Sequence, residues 1–393
     1  MKNYFALGLA LVSLLSITSC ASDDTADINI VNNGGTSNPT NPGTIFLSGT
    51  FTEDLDLDAN NTYKINGSLI MATGTTLRIP AGMTIEALAA GSDVYIAISQ
   101  GATIEAIGTA SEPIVFTSDA SAPTAGDWGG LIILGSAPIN SVSGTATATS
   151  EIASLPYGGT DTADNSGTLR YVRVQYSGGS ADGQSENNGI SFYGVGNGTT
   201  VEYVQVYEGK DDGIEFFGGT VNVDFAAVIG AQDDSIDWTE GYTGTITNAY
   251  VKHGTDHDKG IEADGFNTDI GNNSDPIYFS APTVNNLTII GLGSAISTEA
   301  VRLRAGTRVT FNNVVLEGYA EGFDLDGDMM DRPTGEGVVN GETSVTDITF
   351  TDIILKVKND TEFTFTEADL ISGDGNGTGT DFASWGAGWT VGN

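Results

Sequence analysis

The sequence has few cysteines, histidines and basic residues, and each shortage excludes a class of site or partner. Cys20 is the only cysteine, so no disulfide can form within the chain. The two histidines, His253 and His257, match no zinc signature by their spacing. Lys and Arg number 14 against 51 Asp and Glu, and the formal charge of −37 repels nucleic acid and anionic polymers. We therefore expect cations or neutral polymers as partners, and no nucleic acid.

Long apolar runs are also scarce, and the longest one lies near the N-terminus, just before Cys20. Lys2 precedes the run "FALGLALVSLL", which leads into "ITSC" at Cys20. This arrangement resembles the lipobox of bacterial lipoprotein signal peptides. It predicts a signal peptide over residues 1–19, cleavage before Cys20, and acylation of that cysteine. No other run approaches the roughly 20 residues that a membrane-spanning helix needs, so we expect the lipid to be the membrane anchor.

The segment after Cys20 predicts where the anchored protein lies. The stretch "ASDDTAD" is similar to the short acidic signals that direct lipoproteins of the Bacteroidetes to the outer face of the outer membrane. Residues 20–44, which are rich in Asn, Gly, Thr, Ser and Pro, predict a flexible tether. The sequence thus predicts a lipid-anchored protein at the cell exterior, with one folded domain over residues 45–393.

Two short units alternate along this domain. One unit reads "GISFYG", "GIEFFG", "SIDWTEG", "GIEADG", "AVRLRAG" and "GFDLDG", and the other includes "TLRYVRVQYSGG", "TVEYVQVYEG" and "TITNAYVKHG". Alternating apolar residues with many β-branched and aromatic side chains indicate strands, and a repeat of about 22 residues indicates stacked coils. We predict an all-β fold, a right-handed parallel β-helix that forms a single elongated domain with a loop insertion around 265–283. An up-and-down barrel or a sandwich is the alternative.

Longer phrases strengthen the prediction of a β-helix. The order "PAGMTIEA", "GATIEAIGTASEPIVFTS", "GDWGGLIILGSAPIN" and "DDGIEFFGGTVNVDFAAVIGAQDDSIDWTEGY" resembles a widespread group of β-helical surface lipoproteins of the Bacteroidetes. The resemblance covers most of residues 60–330. It implies a β-helical fold and an extracellular location, but it brings no catalytic residues, so the function must come from the site.

Stacking of the "GIEF" units places equivalent residues in columns, because neighbouring coils lie about 4.8 Å apart. The apolar positions of these units, such as Ile214 and Phe216, are predicted to form two inward columns. The predicted outward column is Ser191, Glu215, Asp237, Glu262, Arg302 and Asp324, and the turns before it contain the aspartate doublets. Crowded carboxylates repel one another unless a cation, a proton or water intervenes. The candidate calcium ligands are Asp211, Asp212, Asp233, Asp234 and Asp258. A solvated acidic surface without an ion is the alternative.

The same outward face carries aromatic residues that we expect to be exposed. Tyr193 and Phe217 fall beside Glu215, and aromatic rings next to acids suit a neutral sugar ring. We therefore expect a glycan to contact Tyr193, Glu215, Phe217, Asp237 and Glu262. The function predicted from this face is non-catalytic binding or adhesion to a glycan or matrix polymer.

A polysaccharide-degrading enzyme, either a glycoside hydrolase or a lyase, is the competing prediction. The "QDDS" stretch followed by "KHG" faintly resembles polygalacturonase-like hydrolases, and Asp212, Asp233, Asp234 and His253 would then be catalytic. Inverting enzymes hold their two carboxyl groups about 6.5–9.5 Å apart, which stacked coils can provide. The sequence lacks the Asn-Thr-Asp and Arg-Ile-Lys phrases of those enzymes, so whether the protein is an enzyme stays open, with binding favoured.

The lipid anchor yields the first testable prediction. Changing Cys20 to Ala removes the thiol that receives the lipid. We expect the variant to remain uncleaved or to be released, without the lipid mass at its N-terminus. Mass spectrometry and membrane fractionation measure both results, and unchanged membrane association of the variant would contradict the prediction.

Overall fold

A computed structural model describes residues 31–32, 43–140, 147–180, 187–268, 277–327 and 333–392. The predicted signal peptide, Cys20 and most of the predicted tether lie outside these residues, so they stay predictions. Within the described ranges, no helix is both long enough and apolar enough to cross a membrane.

Short strands make up most of the described chain. They are β1 (Val31–Asn32), β2 (Thr44–Phe51), β3 (Leu55–Asp56), β4 (Thr62–Met71), β5 (Thr76–Ile79), β6 (Thr84–Ala87), β7 (Gly91–Ile98), β8 (Thr103–Ile107), β9 (Ile114–Ser118), β10 (Trp128–Leu134), β11 (Ala148–Thr149), β12 (Pro156–Tyr157) and β13 (Gly167–Gln175). The next are β14 (Ile190–Tyr193), β15 (Thr200–Tyr207), β16 (Ile214–Phe217), β17 (Asn222–Ile229), β18 (Ile236–Thr239), β19 (Thr245–Lys252), β20 (Ile261–Asp264), β21 (Thr283–Ile290), β22 (Glu299–Arg304) and β23 (Thr310–Leu325). The C-terminal part contains α1 (Thr334–Val339), β24 (Ser344–Asn359), α2 (Glu367–Leu370), β25 (Ile371–Asp374) and α3 (Phe382–Trp385).

The predicted right-handed parallel β-helix is confirmed. In the part of the chain described, 23 of the strands join one sheet, and almost every pairing is parallel between one coil and the next. One face of the solenoid runs through β7, β10, β14, β16, β18, β20, β22 and the end of β23. We call it the ladder face, because it carries the acidic column predicted from the sequence.

A second stack runs through β13, β15, β17, β19, β21, β23 and β24, and each of these strands has a residue with positive φ at an equivalent corner. These corner residues are Tyr171, Tyr203, Phe225, Asn248, Asn286, Asn313 and Asp347. Asn and Asp tolerate this left-handed conformation, whereas aromatic residues rarely adopt it. The three aromatic corners are therefore strained positions that neighbouring contacts must stabilise.

The inside of the solenoid is a continuous apolar core. Both inward columns predicted from the "GIEF" units are buried, with Ile214 and Phe216 each 1% exposed. Phe216 stacks on Phe192 at 5.3 Å between ring centroids and on Tyr242 at 4.3 Å. Because each coil shares its core with the coils on either side, the solenoid forms one cooperative body.

A short hairpin covers part of the outer surface of the ladder face. Strands β11 and β12 pair antiparallel within residues 147–157, which we call the cover hairpin. Ile152 and Tyr157 of this hairpin belong to a second apolar cluster, which lies on the side of the ladder face away from the core. The Tyr157 hydroxyl donates to Glu240 Oε2 at 2.7 Å, and this bond holds the hairpin against the end of β18.

The C-terminal residues 377–392 run back along the solenoid as a strap. Asn313 Oδ1 accepts the backbone N–H of Thr378 at 2.7 Å, which fixes one end of the strap. Trp389 packs edge-on against the corner residues Tyr171 and Tyr203, with ring centroids 5.5 and 6.2 Å away. The strap therefore covers the strained aromatic corners.

The predicted loop insertion lies between β20 and β21. Its described ends fold back onto the body, since Asn140 Nδ2 donates to the carbonyl oxygens of Gly265 and Tyr278, both at 2.7 Å. Residues 269–276 of the insertion lie outside the described chain. At the other end of the protein, β1 falls within the predicted tether and pairs antiparallel with Ile45 and Phe46 of β2.

The strap provides a prediction about stability. Trp389 is fully buried, so Trp389→Ala removes a large ring from a packed site and should destabilise the protein by about 3 kcal/mol. Thermal unfolding followed by circular dichroism measures the loss. The matched control is Ile354→Ala, because the Ile354 side chain is 73% exposed and should contribute little. Equal melting temperatures for the two variants would show that the strap is not a structural part of the solenoid.

Candidate functional site

The outward acidic column predicted from the sequence is present on the ladder face. Strand register pairs Glu215 with Asp237 and Asp237 with Glu262, one coil after another. The aspartate doublets lie in the turns just before these strands. We call the following residues the acidic ladder: Asp211, Asp212, Glu215, Asp233, Asp234, Asp237, Asp258 and Glu262. They come from three successive coils, and the strand spacing of about 4.8 Å brings them together.

The second aspartate of each doublet has a structural role that explains why the doublet recurs. Asp212 Oδ1 accepts the backbone N–H of Asp234 at 3.0 Å, and Asp234 Oδ1 accepts the backbone N–H of Lys259 at 2.7 Å. Each carboxylate thus satisfies an amide in the turn of the following coil. The remaining carboxylate oxygens face the other acids of the ladder.

Four groups of three carboxylate oxygens lie within 4.8 Å of one another inside the ladder. The groups are Asp211, Asp212 and Asp233; Asp212, Glu215 and Asp237; Asp233, Asp234 and Asp258; and Asp234, Asp237 and Glu262. All five aspartates predicted as metal ligands therefore belong to this cluster. Oxygen atoms at this separation are close enough to share one cation.

Basic side chains neutralise only one part of the ladder. The Lys259 ammonium lies 2.7 Å from Asp258 and 3.0 Å from Glu262, and the Arg304 guanidinium also pairs with Glu262. Among the residues that the structure describes, no Lys or Arg forms an ion pair with Asp212, Glu215 or Asp237. We call these three residues the unneutralised trio. Their carboxyl groups are crowded, and the Arg304 guanidinium acts on Asp237 only from beyond ion-pair distance.

Burial raises the pKa of each carboxyl group of the unneutralised trio well above its usual range. Neighbouring carboxylates raise these pKa values further, whereas a hydrogen bond of 2.5 Å from Asn188 Nδ2 opposes the shift at Glu215. Burial also raises the pKa of Asp264 to about 6 against the opposing effect of Arg304. The site therefore binds protons readily when no other cation is present.

The expectation that Tyr193 and Phe217 are exposed is wrong. Each is only 2% exposed, and their rings stack on each other at 4.0 Å and 7°. The cover hairpin places Tyr157 against Tyr193 at 4.9 Å, so no sugar reaches these rings in this structure. Alternation along a strand shows that a side chain points away from the core, but it does not show that another segment lies on top of it.

The acids of the ladder are also less exposed than an open outward face would make them. Glu215 and Asp237 are half-buried, and Glu262 is only 7% exposed. Neighbouring segments therefore partly cover the acids of the ladder.

His253 lies apart from the three aspartates with which the hydrolase prediction grouped it. Its ring stacks on His257 at 4.3 Å and meets the edge of Tyr319 at 5.5 Å. The close carboxylate groups include Asp212, Asp233 and Asp234, but His253 belongs to none of them. Burial lowers the pKa of His253 to about 3, so its imidazole is neutral at physiological pH.

Sequence reasoning missed the role of the basic residues in the ladder. In the stretch "AVRLRAG" the two arginines alternate with apolar residues, so Arg302 and Arg304 both point outward. Arg304 pairs with Asp264 across one coil, as the register of β20 and β22 requires. The alternation was the signal that could have revealed this pairing.

Comparison with known proteins agrees with the fold. A family model described as a pectate-lyase like beta helix domain matches residues 49–390. Neither the curated proteins nor the solved structures contain a match to this chain.

The partial neutralisation of the ladder yields a prediction. The side chain of Lys259 is 8% exposed and lies beside three carboxylates, so Lys259→Met leaves them without their counter-ion. Loss of one partner of a buried ion pair costs about 3–5 kcal/mol. We expect that loss at neutral pH with a chelator present, measured by chemical denaturation.

The matched control is Lys356→Met, which removes a lysine from a surface ion pair with Asp374. Surface pairs contribute about 1 kcal/mol or less, so this variant should unfold almost like the parent. At acidic pH the free energies of unfolding of the two variants should become more similar, because protonation of the carboxylates removes the repulsion that Lys259 balances. A difference in free energy of unfolding that stays constant with pH would contradict the electrostatic explanation.

Proposed function

Because the chain belongs to the pectate-lyase like beta helix domain family, we propose that it is a polysaccharide-binding protein of the cell surface whose acidic ladder holds Ca²⁺. Family membership supports a polysaccharide-related function. Attachment to the outer membrane through acylated Cys20, in a surface lipoprotein of the Bacteroidetes type, is part of the proposal and rests on the N-terminal sequence. The ligand class is a neutral glycan or matrix polymer, because a charge of −37 disfavours acidic polymers.

One observation carries the calcium part of the proposal. The unneutralised trio brings three carboxylate oxygens within 4.8 Å of one another, and no described Lys or Arg pairs with them. Such a cluster needs a proton or a cation to relieve the repulsion. Outside cells Ca²⁺ is a suitable cation, since it takes six to eight oxygen ligands from carboxylates, carbonyls and water.

A calcium ion at the unneutralised trio would also offer a way to bind a sugar. Three carboxylates do not complete a shell of six to eight oxygens, so positions remain for hydroxyl groups of a neutral glycan. The proposal retains Glu215, Asp237 and Glu262 as candidate glycan contacts. It drops Tyr193 and Phe217, because they are buried beneath the cover hairpin.

Polysaccharide cleavage is the second candidate, and the raised pKa values of Asp212 and Asp237 favour it, since a general acid must be protonated. Other groups that such chemistry requires are already engaged. Lys259 and Arg304 are held in ion pairs, and His253 lies apart from the carboxylates. Binding is therefore the function that the site supports better.

The proposal predicts how calcium and pH act on stability. When a chelator removes Ca²⁺, protonation of the three carboxyl groups stabilises the folded protein, because their pKa values are raised in it. This contribution is fully present below the ordinary carboxyl pKa of about 4, and it is lost as the pH rises through the raised pKa values. Added Ca²⁺ should raise the melting temperature at neutral pH and remove this decline. The double variant Asp212→Asn/Asp237→Asn should lose the response to Ca²⁺ and bind neutral polysaccharide more weakly than the parent.

The control is Asp93→Asn/Glu105→Gln, which removes two exposed acids outside the ladder and should keep the response to Ca²⁺. Binding is measured on a panel of neutral polysaccharides with Ca²⁺ or with a chelator, and reducing ends are assayed in the same samples. Identical melting curves with and without Ca²⁺ would refute the calcium site. Release of reducing ends that the double variant abolishes would identify the protein as an enzyme instead.

A further inference from the structure

A pocket lies on the second stack of strands, rather than on the ladder face, where the strap packs against β19. We call it the strap pocket. Its volume is about 440 Å³, which falls within the range of small-ligand pockets. Tyr250 of β19 lines the pocket from the body of the solenoid. The strap contributes the other lining residues, which are Thr380, Asp381, Phe382, Ala383 and Ala387.

Two aromatic rings line the strap pocket. Phe382 stacks on Tyr250, with ring centroids 3.9 Å apart and planes inclined by 7°. Trp385 packs edge-on with Phe382 at 4.8 Å, so neighbouring rings fix the orientation of Phe382. Both Tyr250 and Phe382 are partly exposed, in contrast to the aromatic rings beneath the cover hairpin. The pocket therefore presents a rigid aromatic surface to solvent.

Polar groups accompany these rings in the pocket. Asp381 is exposed, and its Oδ1 accepts the backbone N–H of Ser384 at 3.3 Å, while no described residue donates to its Oδ2. The Tyr250 hydroxyl likewise has no hydrogen-bond partner in the part of the chain that the structure describes. Burial raises the pKa of Tyr250, so this hydroxyl keeps its proton. The pocket thus offers an acceptor and a donor to the hydroxyl groups of a ligand.

Attachment of the strap does not require an open pocket. Trp389 is fully buried, and the stack of Phe382 on Tyr250 adds a second contact between the strap and the body. Ala383 and Ala387 are exposed and have short side chains, so the space beside the two rings stays unfilled. Longer side chains at these two positions would cover more of the aromatic surface. Ligand binding therefore explains the open pocket better than packing of the strap does.

We propose that the strap pocket binds one sugar unit of a neutral polysaccharide. Aromatic rings pack against the apolar face of a sugar, and a carboxylate or hydroxyl beside them bonds to the sugar hydroxyl groups. The charge of −37 disfavours an anionic ligand at the pocket, as it does at the ladder. The inference rests on the proposed polysaccharide-binding function, and it adds a contact that requires no Ca²⁺.

The test measures binding of the full chain to galactomannan, xyloglucan, mixed-linkage β-glucan and starch, with a chelator present so that a site dependent on Ca²⁺ does not contribute. We expect the parent to bind at least one of these polymers. Tryptophan fluorescence should change on binding, because Trp385 contacts the lining ring of Phe382. Phe382→Leu removes that ring and Ala383→Leu fills the pocket, so each variant should bind about tenfold more weakly or worse.

Ser384→Leu is the matched control, because Ser384 is exposed on the same helix, α3, and does not line the strap pocket. It should bind like the parent. The ladder variant Asp212→Asn/Asp237→Asn should also bind like the parent while the chelator is present. Circular dichroism and melting curves establish that the variants fold, and Ala383→Leu serves alone if Phe382→Leu does not.

Two results would overturn the inference. The first is that the folded parent binds none of the four polysaccharides when the chelator is present. The second is that Ala383→Leu binds as tightly as Ser384→Leu. Binding that requires Ca²⁺ and is lost only in the ladder variant would support the proposed function and overturn the strap pocket, so the two failures are distinguishable.

Discussion

Each coil of this solenoid lies directly on the previous one, at the spacing of hydrogen-bonded parallel strands, about 4.8 Å. That spacing forces equivalent residues into contact whether or not their side chains attract. Apolar columns such as Ile214 on Ile190 and Ile236 gain from it and form the core. The same spacing destabilises acidic columns, because carboxylates at this distance repel one another. The chemistry of the ladder face follows from how the protein relieves that repulsion.

Three means of relief are visible along the ladder. Backbone amides of the next turn bond to Asp212 and Asp234, and Lys259 lies among the acids of the following coil. Arg304 then pairs with Glu262 and Asp264. Glu215 and Asp237 form no ion pair with a described Lys or Arg, and their pKa values are raised. We therefore place the proposed cation at the unneutralised trio rather than at the acids that pair with Lys259 and Arg304.

Stacking also produces aromatic columns, and the protein covers them. Tyr193 and Phe217 lie beneath the cover hairpin, and the corner aromatics Tyr171 and Tyr203 lie beneath the strap. A long solenoid with exposed aromatic columns would present an apolar surface prone to association. The two covering segments remove that surface. On the ladder face, the partly exposed side chains Glu215 and Asp237 are then acidic rather than aromatic.

The sequence by itself determined the β-helix, the inward columns and the composition of the acidic column. These features are periodic, and a side chain's place in the period decides whether it points inward or outward. The sequence also sufficed to group Asp211, Asp212, Asp233, Asp234 and Asp258, because the doublets recur at the length of one coil. Local pattern and strand spacing together settle such contacts.

Only the tertiary structure decided which outward residues are exposed. Tyr193 is buried by a hairpin that begins more than 30 residues earlier in the chain. Tyr171 and Tyr203 are covered by Trp389, which lies almost 190 residues after Tyr203. Neither covering segment belongs to a repeat, so its position depends on the path of the connecting chain, and a periodic pattern contains no information about that path.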